Sequence, residues 1–373
     1  MSYLVKVPFI DLKREYQFFK RDFKIDNFLK KGDYILGREL ELFERDFSKF
    51  FSSNNNFYSV GVNSGTDALI LALKALKVKE GDEIITTSFS YISTALAILK
   101  VKAKPVFVDI KEDYNISPKE IKKAISKKTK GIIIVHLFGL PCDMEEIIDI
   151  KNRYGLFLIE DCCQSFGAKY KDNYCGSFGE ISCFSFYPTK NLSCFGDGGL
   201  CLTKSFYFYK KIKELRNPDL KKEFVDDIGF NSRLDTIQAR VLRIKLKKIK
   251  FLLEKRREIA KIYNENLGSL LVCPKEENNK IHSYNIYTIR VKDNKKLKNY
   301  LERLGIETKI YYPYPLYYQP IFKNNSRIIG CKKAEEFSKE VLSLPLYPFL
   351  KVKEVKEVIK RVKSYLKEVE NED

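Results

Sequence analysis

Residues 185–199 read Ser-Phe-Tyr-Pro-Thr-Lys-Asn-Leu-Ser-Cys-Phe-Gly-Asp-Gly-Gly, between two apolar runs of strand length, Cys183-Phe-Ser-Phe186 and Leu200-Cys-Leu202. Lys190 stands in this nearly uncharged segment of a chain that otherwise carries 68 Lys and Arg. Burial disfavours an ammonium ion, so a lysine held there titrates low and offers a neutral, nucleophilic amine. Outward from this stretch lie further short apolar runs: Ile84-Ile85, Val106-Phe-Val108, Ile132-Ile-Ile-Val135 and Phe157-Leu-Ile159. Helix-like segments separate them from about residue 60 onward. That alternation predicts an α/β fold with a mostly parallel sheet covered by helices.

The helical segments carry their own start signals. Ser117-Pro-Lys-Glu120 supplies a cap, a proline in the first turn and an acid for a capping box. After the polar turn Gly61-Val-Asn-Ser-Gly-Thr66, Leu69, Ala72, Leu73 and Leu76 mark one helix face. The basic run at residues 241–260 keeps Leu242, Leu246, Ile249 and Leu253 at helical spacing, which predicts one buried stripe with lysines toward water. Beyond it the texture changes to strand-like pieces such as residues 284–291 and short helices. We therefore expect a large domain over residues 1–248 and a smaller one over 249–373. Residues 311–318, Tyr-Tyr-Pro-Tyr-Pro-Leu-Tyr-Tyr, form a non-regular loop because two prolines interrupt backbone pairing. Its aromatics line a pocket or pack a domain seam.

A chain of 373 residues has room for a sizeable core and a second domain. The net charge of +19 is dispersed, and no nucleic-acid module accompanies the basic helix, so a nucleic-acid partner is not expected. A positive field that draws in a phosphorylated small molecule is compatible with it. Nine cysteines without paired CxxC spacing argue against a disulfide framework or a zinc site and for a reducing cytoplasm. The first residues lack the apolar core of a signal peptide, and no run reaches the length of a membrane span.

In open α/β sheets, ligands sit outside the carboxyl ends of the strands. Asp161 ends the run Phe157-Leu-Ile-Glu-Asp161, as a helix cap or as a ligand-binding acid. Ser64-Gly-Thr66 is an ordinary N-cap or a phosphate site at a helix start. Ser185 offers a hydroxyl five residues before Lys190, and Tyr91 an aromatic ring. An amine, an acid, a phosphate-binding turn and a stacking aromatic are the parts a phosphopyridoxal cofactor requires.

These motifs resemble the DegT/DnrJ/StrS sugar aminotransferases. The resemblance runs through Val7-Pro-Phe-Ile-Asp-Leu12, Asn63-Ser-Gly-Thr-Asp-Ala-Leu69, His136-Leu-Phe-Gly-Leu-Pro-Cys-Asp-Met144, Ile159-Glu-Asp-Cys-Cys-Gln-Ser-Phe-Gly-Ala168, the lysine stretch, Gly229-Phe-Asn-Ser-Arg233 and Ser343-Leu-Pro-Leu-Tyr-Pro348. It implies the aspartate aminotransferase-like fold (fold type I of pyridoxal phosphate enzymes), with a mostly parallel seven-stranded sheet and a smaller C-terminal α+β domain. It implies pyridoxal 5'-phosphate as cofactor, with pyridoxamine phosphate formed in turnover. Lys190 then corresponds to the Schiff-base lysine, Asp161 to the partner of the pyridine nitrogen, and Gln164 to the partner of the ring hydroxyl. Tyr91 stacks on the ring, while Gly65, Thr66 and Ser185 hold the phosphate. Asn231 reaches the phosphate of a neighbouring subunit, which implies a homodimer with shared active sites.

The resemblance further implies transfer from L-glutamate to a nucleotide-linked keto sugar, with Tyr187, Tyr311 and Tyr312 gripping the sugar or its phosphates. The late loop is more similar to that of relatives acting at C-3 of a dTDP-3-keto-6-deoxyhexose than to those acting at C-4. Departures are few: Cys162 and Cys163 stand where many relatives carry alanines, and tyrosines replace two loop histidines at Tyr311 and Tyr317. With only His136 and His282 in the chain, Lys190 is the expected proton carrier. Two other readings are a dehydratase, in which a histidine replaces the lysine, and a cofactor-binding regulator, which requires a DNA module that the flanks do not show.

Overall fold

In the computed structural model, which describes residues 6–52, 56–218, 228–277 and 279–370, the six apolar runs named above all become strands. Strands β1 (Tyr58–Val62), β2 (Glu83–Thr87), β3 (Lys104–Val108), β4 (Thr129–Val135) and β5 (Phe157–Asp161) precede a small hairpin, β6 (Lys169–Tyr170) and β7 (Asn173–Tyr174). Next come β8 (Ile181–Ser185) and β9 (Gly199–Thr203), then β10 (Lys280–Ile281), β11 (Tyr287–Arg290), β12 (Arg327–Ile329) and β13 (Val341–Leu344). The central sheet has the order β1-β9-β8-β5-β4-β2-β3-β12. Neighbours are parallel from β8 to β12, and β9 is antiparallel to both of its neighbours.

Alternation of side chains across the pleat gives the sheet two apolar faces. Ile84, Ile133 and Ile159 pack with Leu69, Ala72 and Leu73 of the helix Gly65–Ala75. Ile85, Ile132, Ile134 and Leu158 face the other way, against Ile121 and Ala124 of Pro118–Ala124 and Ile147 and Ile150 of Met144–Tyr154. Further on, β11 and β13 pair antiparallel, and Tyr287 and Leu344 share a core with Tyr263, Leu301, Val355 and Val358 from three helices. This is the smaller α+β layer.

Three local expectations are corrected. The basic run is two helices, Thr236–Leu246 and Ile249–Leu267, with a break at Lys247 and Lys248. Its lysines do not all face water: Lys245 is 2% exposed, paired with Glu15 Oε1 at 2.7 Å and donating to Ser193 Oγ at 3.0 Å. At Ser117 only half of the capping box forms. Ser117 Oγ accepts from Glu120 N at 3.4 Å, while the Glu120 carboxylate turns to Lys123 at 2.7 Å. The expected seven strands are joined by an eighth, β12, pinned at the sheet edge by two Arg327–Glu83 bonds of 3.1 and 2.8 Å. All nine cysteines are free and eight are buried. Among the described residues no helix is long and apolar enough to cross a membrane.

Candidate active site

The carboxyl ends of β5 and β8 and the helix that follows β1 meet around one cavity of about 560 Å³. Ser64 starts the helix by accepting from Asp67 N at 3.1 Å. Only glycine fits next: a Cβ on Gly65 would stand 2.7 Å from Cys163 Sγ and 2.8 Å from Ser185 Cβ. A Cβ on Gly199 would meet the Ser64 carbonyl carbon at 2.3 Å. The two glycines thus let the helix start press against the end of β8 and the start of β9, and Gly65, Thr66 and Ser185 line the same cavity. Thr66 Oγ1 donates to Ser93 Oγ at 2.8 Å.

Asp161 is 4% exposed and ends β5 inside this cavity. Oδ2 accepts from Thr94 Oγ1 at 2.7 Å, and Oδ1 from Cys163 N at 3.1 Å. No helix directly follows Asp161, so it caps none; one oxygen closes a tight turn on the Cys163 amide, while the other is oriented by a residue 67 positions away. Thr94 was not legible as a site residue; it lies in the first turn of Ser93–Lys100, where hydroxyls commonly serve the backbone. The Lys190 amine lines the cavity without a hydrogen bond or ion pair to any described residue. Burial holds its pKa below the ordinary lysine value, partly opposed by Cys163 and Asp161. Burial, aided by Asp161, pushes the Cys163 thiol well up, so it stays protonated.

Gln164 is held in one orientation, accepting from Phe138 N at 3.0 Å and donating to Tyr312 Oη at 2.9 Å. Tyr91 and Tyr187 are 58% and 52% exposed and line the cavity, as do Tyr311 and Tyr312. The tyrosine loop thus forms part of the wall, with one 3₁₀ turn at Leu316–Tyr318. Of the residues assigned from the resemblance to the cofactor or the sugar, Asn231 alone is absent from the lining; it is exposed. Neither histidine lines the cavity. His136 Nδ1 accepts from Cys142 N at 3.0 Å and Nε2 lies 3.0 Å from Glu160 Oε2. Glu160 also accepts from the amides of Gly176, Phe178 and Gly179, each at 2.7 Å. Burial would raise this carboxyl, but His136 and the amides hold it below the usual range. Cys162 lies beside the pair, yet both ring nitrogens and both carboxylate oxygens are already bonded, so the trio braces the end of β5. Burial, with Arg257 nearby, lowers His282 to about 3.

Residues 20–363 match the DegT/DnrJ/EryC1/StrS aminotransferase family. The chain belongs to that family. It is 37% identical to the pleiotropic regulatory protein of Geobacillus stearothermophilus, over 97% of this chain and 99% of the relative. Identity is 36% to the dTDP-3-amino-3,4,6-trideoxy-alpha-D-glucose transaminase of Streptomyces venezuelae, over 98% of this chain and 97% of that one. It is 37% to the UDP-N-acetyl-3-dehydro-alpha-D-glucosamine 3-aminotransferase of Acidithiobacillus ferrooxidans, over 95% and 96%. The crystal structure of S. venezuelae DesV in complex with a ketimine intermediate superposes with a TM-score of 0.92 at 35% identity, covering 98% of this chain and 99% of DesV. This DegT/DnrJ/EryC1/StrS protein is a pyridoxal phosphate-dependent nucleotide-sugar aminotransferase of fold type I.

The residues present fit the family's cofactor. An unpaired amine of lowered basicity, a buried carboxylate with fixed orientation and a helix start that glycine brings against Ser185 border one cavity. A helix start with free amides favours a phosphate.

Proposed function

We propose that this enzyme transfers the amino group of L-glutamate to C-3 of a dTDP-3-keto-6-deoxyhexose, for amino-sugar synthesis in the cytoplasm, and works as a homodimer. The observation that carries this reading is the tyrosine wall. Tyr311 and Tyr312, from the loop that is similar to those of C-3 enzymes, border the same cavity as Lys190. Two of the relatives above are named for nitrogen at C-3, on different nucleotides.

When bound, pyridoxal phosphate supplies a carbonyl that captures the amino group and a ring that accepts the electron pair released at the reacting carbon. Gly65, Thr66 and Ser185 would hold its phosphate, Tyr91 would cover its ring, and Gln164 would face its ring hydroxyl. Asp161, fixed by Thr94 and the Cys163 amide, would hold a proton on the pyridine nitrogen. Lys190 Nζ would bond the cofactor and, once freed, carry a proton between the donor or sugar carbon and the cofactor. Its lowered pKa suits that exchange, because a larger fraction is neutral near physiological pH. Tyr187, Tyr311 and Tyr312 would grip the sugar. Asn231, exposed and outside its own cavity, would serve the phosphate of a neighbouring subunit.

The test begins with the visible absorption of the holoprotein before and after L-glutamate. The aminated form is then mixed with a 3-keto or a 4-keto dTDP-6-deoxyhexose, and the product is examined by NMR. Bleaching by glutamate and an amine at C-3 are expected. An amine at C-4 refutes the position, and a cofactor band indifferent to glutamate refutes the donor.

A further inference from the structure

One wall of the cavity comes from the C-terminal part of the chain, and its pattern has period two. Ile306 bridges Val7, Lys309 bridges Ser343, and the stretch between them is extended. Ile306 and Thr308, each 1% exposed, point into the protein, whereas Glu307, Lys309 and Tyr311 line the cavity. This alternation is what an extended strand imposes. The wall holds groups that the protein itself leaves unsatisfied. The exposed Lys309 ammonium has no ion pair or hydrogen bond among the described residues, while Glu307 is engaged by the Phe9 amide at 2.9 Å. Asn285, 8% exposed on the same wall, has its Oδ1 without a hydrogen-bond partner.

Charge decides what Lys309 faces. Among the described lining residues the cations are Lys190 and Lys309, against Asp161, Asp197 and Glu307. Lys190 is committed to the cofactor in the reading above. A nucleotide-linked sugar must bring its diphosphate to this cavity, and the +19 charge of the chain attracts it from a distance but does not locate it. The keto carbon has to reach the half-buried Lys190, so the diphosphate that trails it would sit at a more exposed position of the wall. Lys309 has that exposure. We propose that Lys309 is the anchor of the substrate diphosphate, a specificity residue delivered by the extended stretch that also places Tyr311. This rests on the nucleotide-sugar reading of the site.

The test uses the holoprotein and its Lys309→Met and Lys309→Arg variants, with dTDP, UDP and L-glutamate as probes. Nucleotide binding is followed by calorimetry, and the glutamate reaction by bleaching of the cofactor band. Removing a charge-assisted bond from a diphosphate is expected to weaken dTDP binding by about 10- to 100-fold in Lys309→Met. The loss should be at least about tenfold larger than any change in the glutamate constant, Lys309→Arg should recover most of it, and the salt dependence should flatten. Unchanged dTDP affinity in Lys309→Met overturns the proposal. So does a loss confined to glutamate, which would make Lys309 the receiver of a donor carboxylate. A parent protein that bleaches with glutamate yet binds neither nucleotide would overturn the nucleotide-sugar reading and this proposal with it.

Discussion

Replacing Gly65 with alanine tests how the phosphate end of the site is built. The new Cβ would stand 2.7 Å from Cys163 Sγ, 2.8 Å from Ser185 Cβ and 3.4 Å from Ser185 Cα. Non-bonded heavy atoms are at ease near 3.5–4.0 Å, so the helix start must retreat from β8 by a large fraction of an ångström. Overpacking of this kind costs about 1–3 kcal/mol of stability. The same retreat would draw the first-turn amides away from the proposed phosphate position beside Ser185. Losing one charge-assisted bond there, about 1.5–3 kcal/mol, lowers cofactor affinity by about 10- to 100-fold. Titration of the apoprotein with pyridoxal phosphate reads the affinity, and a urea melt reads the stability. Gly65→Ala with Cys163→Ala removes the sulfur contact but keeps the 2.8 Å contact with Ser185, so it should recover only part of both losses. A Gly65→Ala protein that binds the cofactor as tightly as its parent would refute the reasoning.

Lys190→Ala should abolish turnover in a glutamate-coupled assay while circular dichroism stays that of the parent; residual activity within tenfold of the parent would contradict its assignment. Thr94→Val deprives Asp161 Oδ2 of its 2.7 Å donor, and kcat should fall about 10- to 100-fold, with Thr94→Ser restoring most of it. His282, lowered to about 3, lies below its unfolded value near 6.5, so the unfolded state takes up protons first as pH falls. Its stabilising contribution is whole above about 6.5 and shrinks toward 3, by about 2 kcal/mol at pH 5. Urea midpoints at pH 7, 6 and 5 should therefore drop less steeply in His282→Asn than in the parent, and parallel lines would remove the effect from this residue.

What the sequence revealed and what it hid follow from how local each signal is. The six apolar runs sit in strands buried on both faces, where no polar alternation dilutes the pattern, so each is visible by itself. β12 has no such pattern: it is a three-residue edge strand with Ile328 48% exposed, held by its ladder to β3 and by the ion pair from Arg327 to Glu83, 244 positions away. The break after Leu246 carries no glycine or proline. It accompanies Lys245 turning inward to Glu15 and Ser193, contacts that no helical wheel contains.

The site divides the same way. Lys190 and Asp161 were conspicuous because a charged residue in an apolar stretch contradicts its surroundings, and that contradiction is local. Thr94 and Lys309 contradict nothing nearby: a threonine in a first helical turn and a lysine in a chain of 68 basic residues are ordinary. Thr94 acquires its meaning from Asp161 across the fold, and Lys309 from the cavity that the extended stretch faces. Gly65 lies between these cases. Its place in Ser64-Gly-Thr66 marks a helix start, but only the 2.7 and 2.8 Å approaches to Cys163 and Ser185 show why no other residue fits. On the roles proposed here, the residues that would handle the cofactor are those that break local rules, whereas those that would choose the substrate obey them and are selected by position alone.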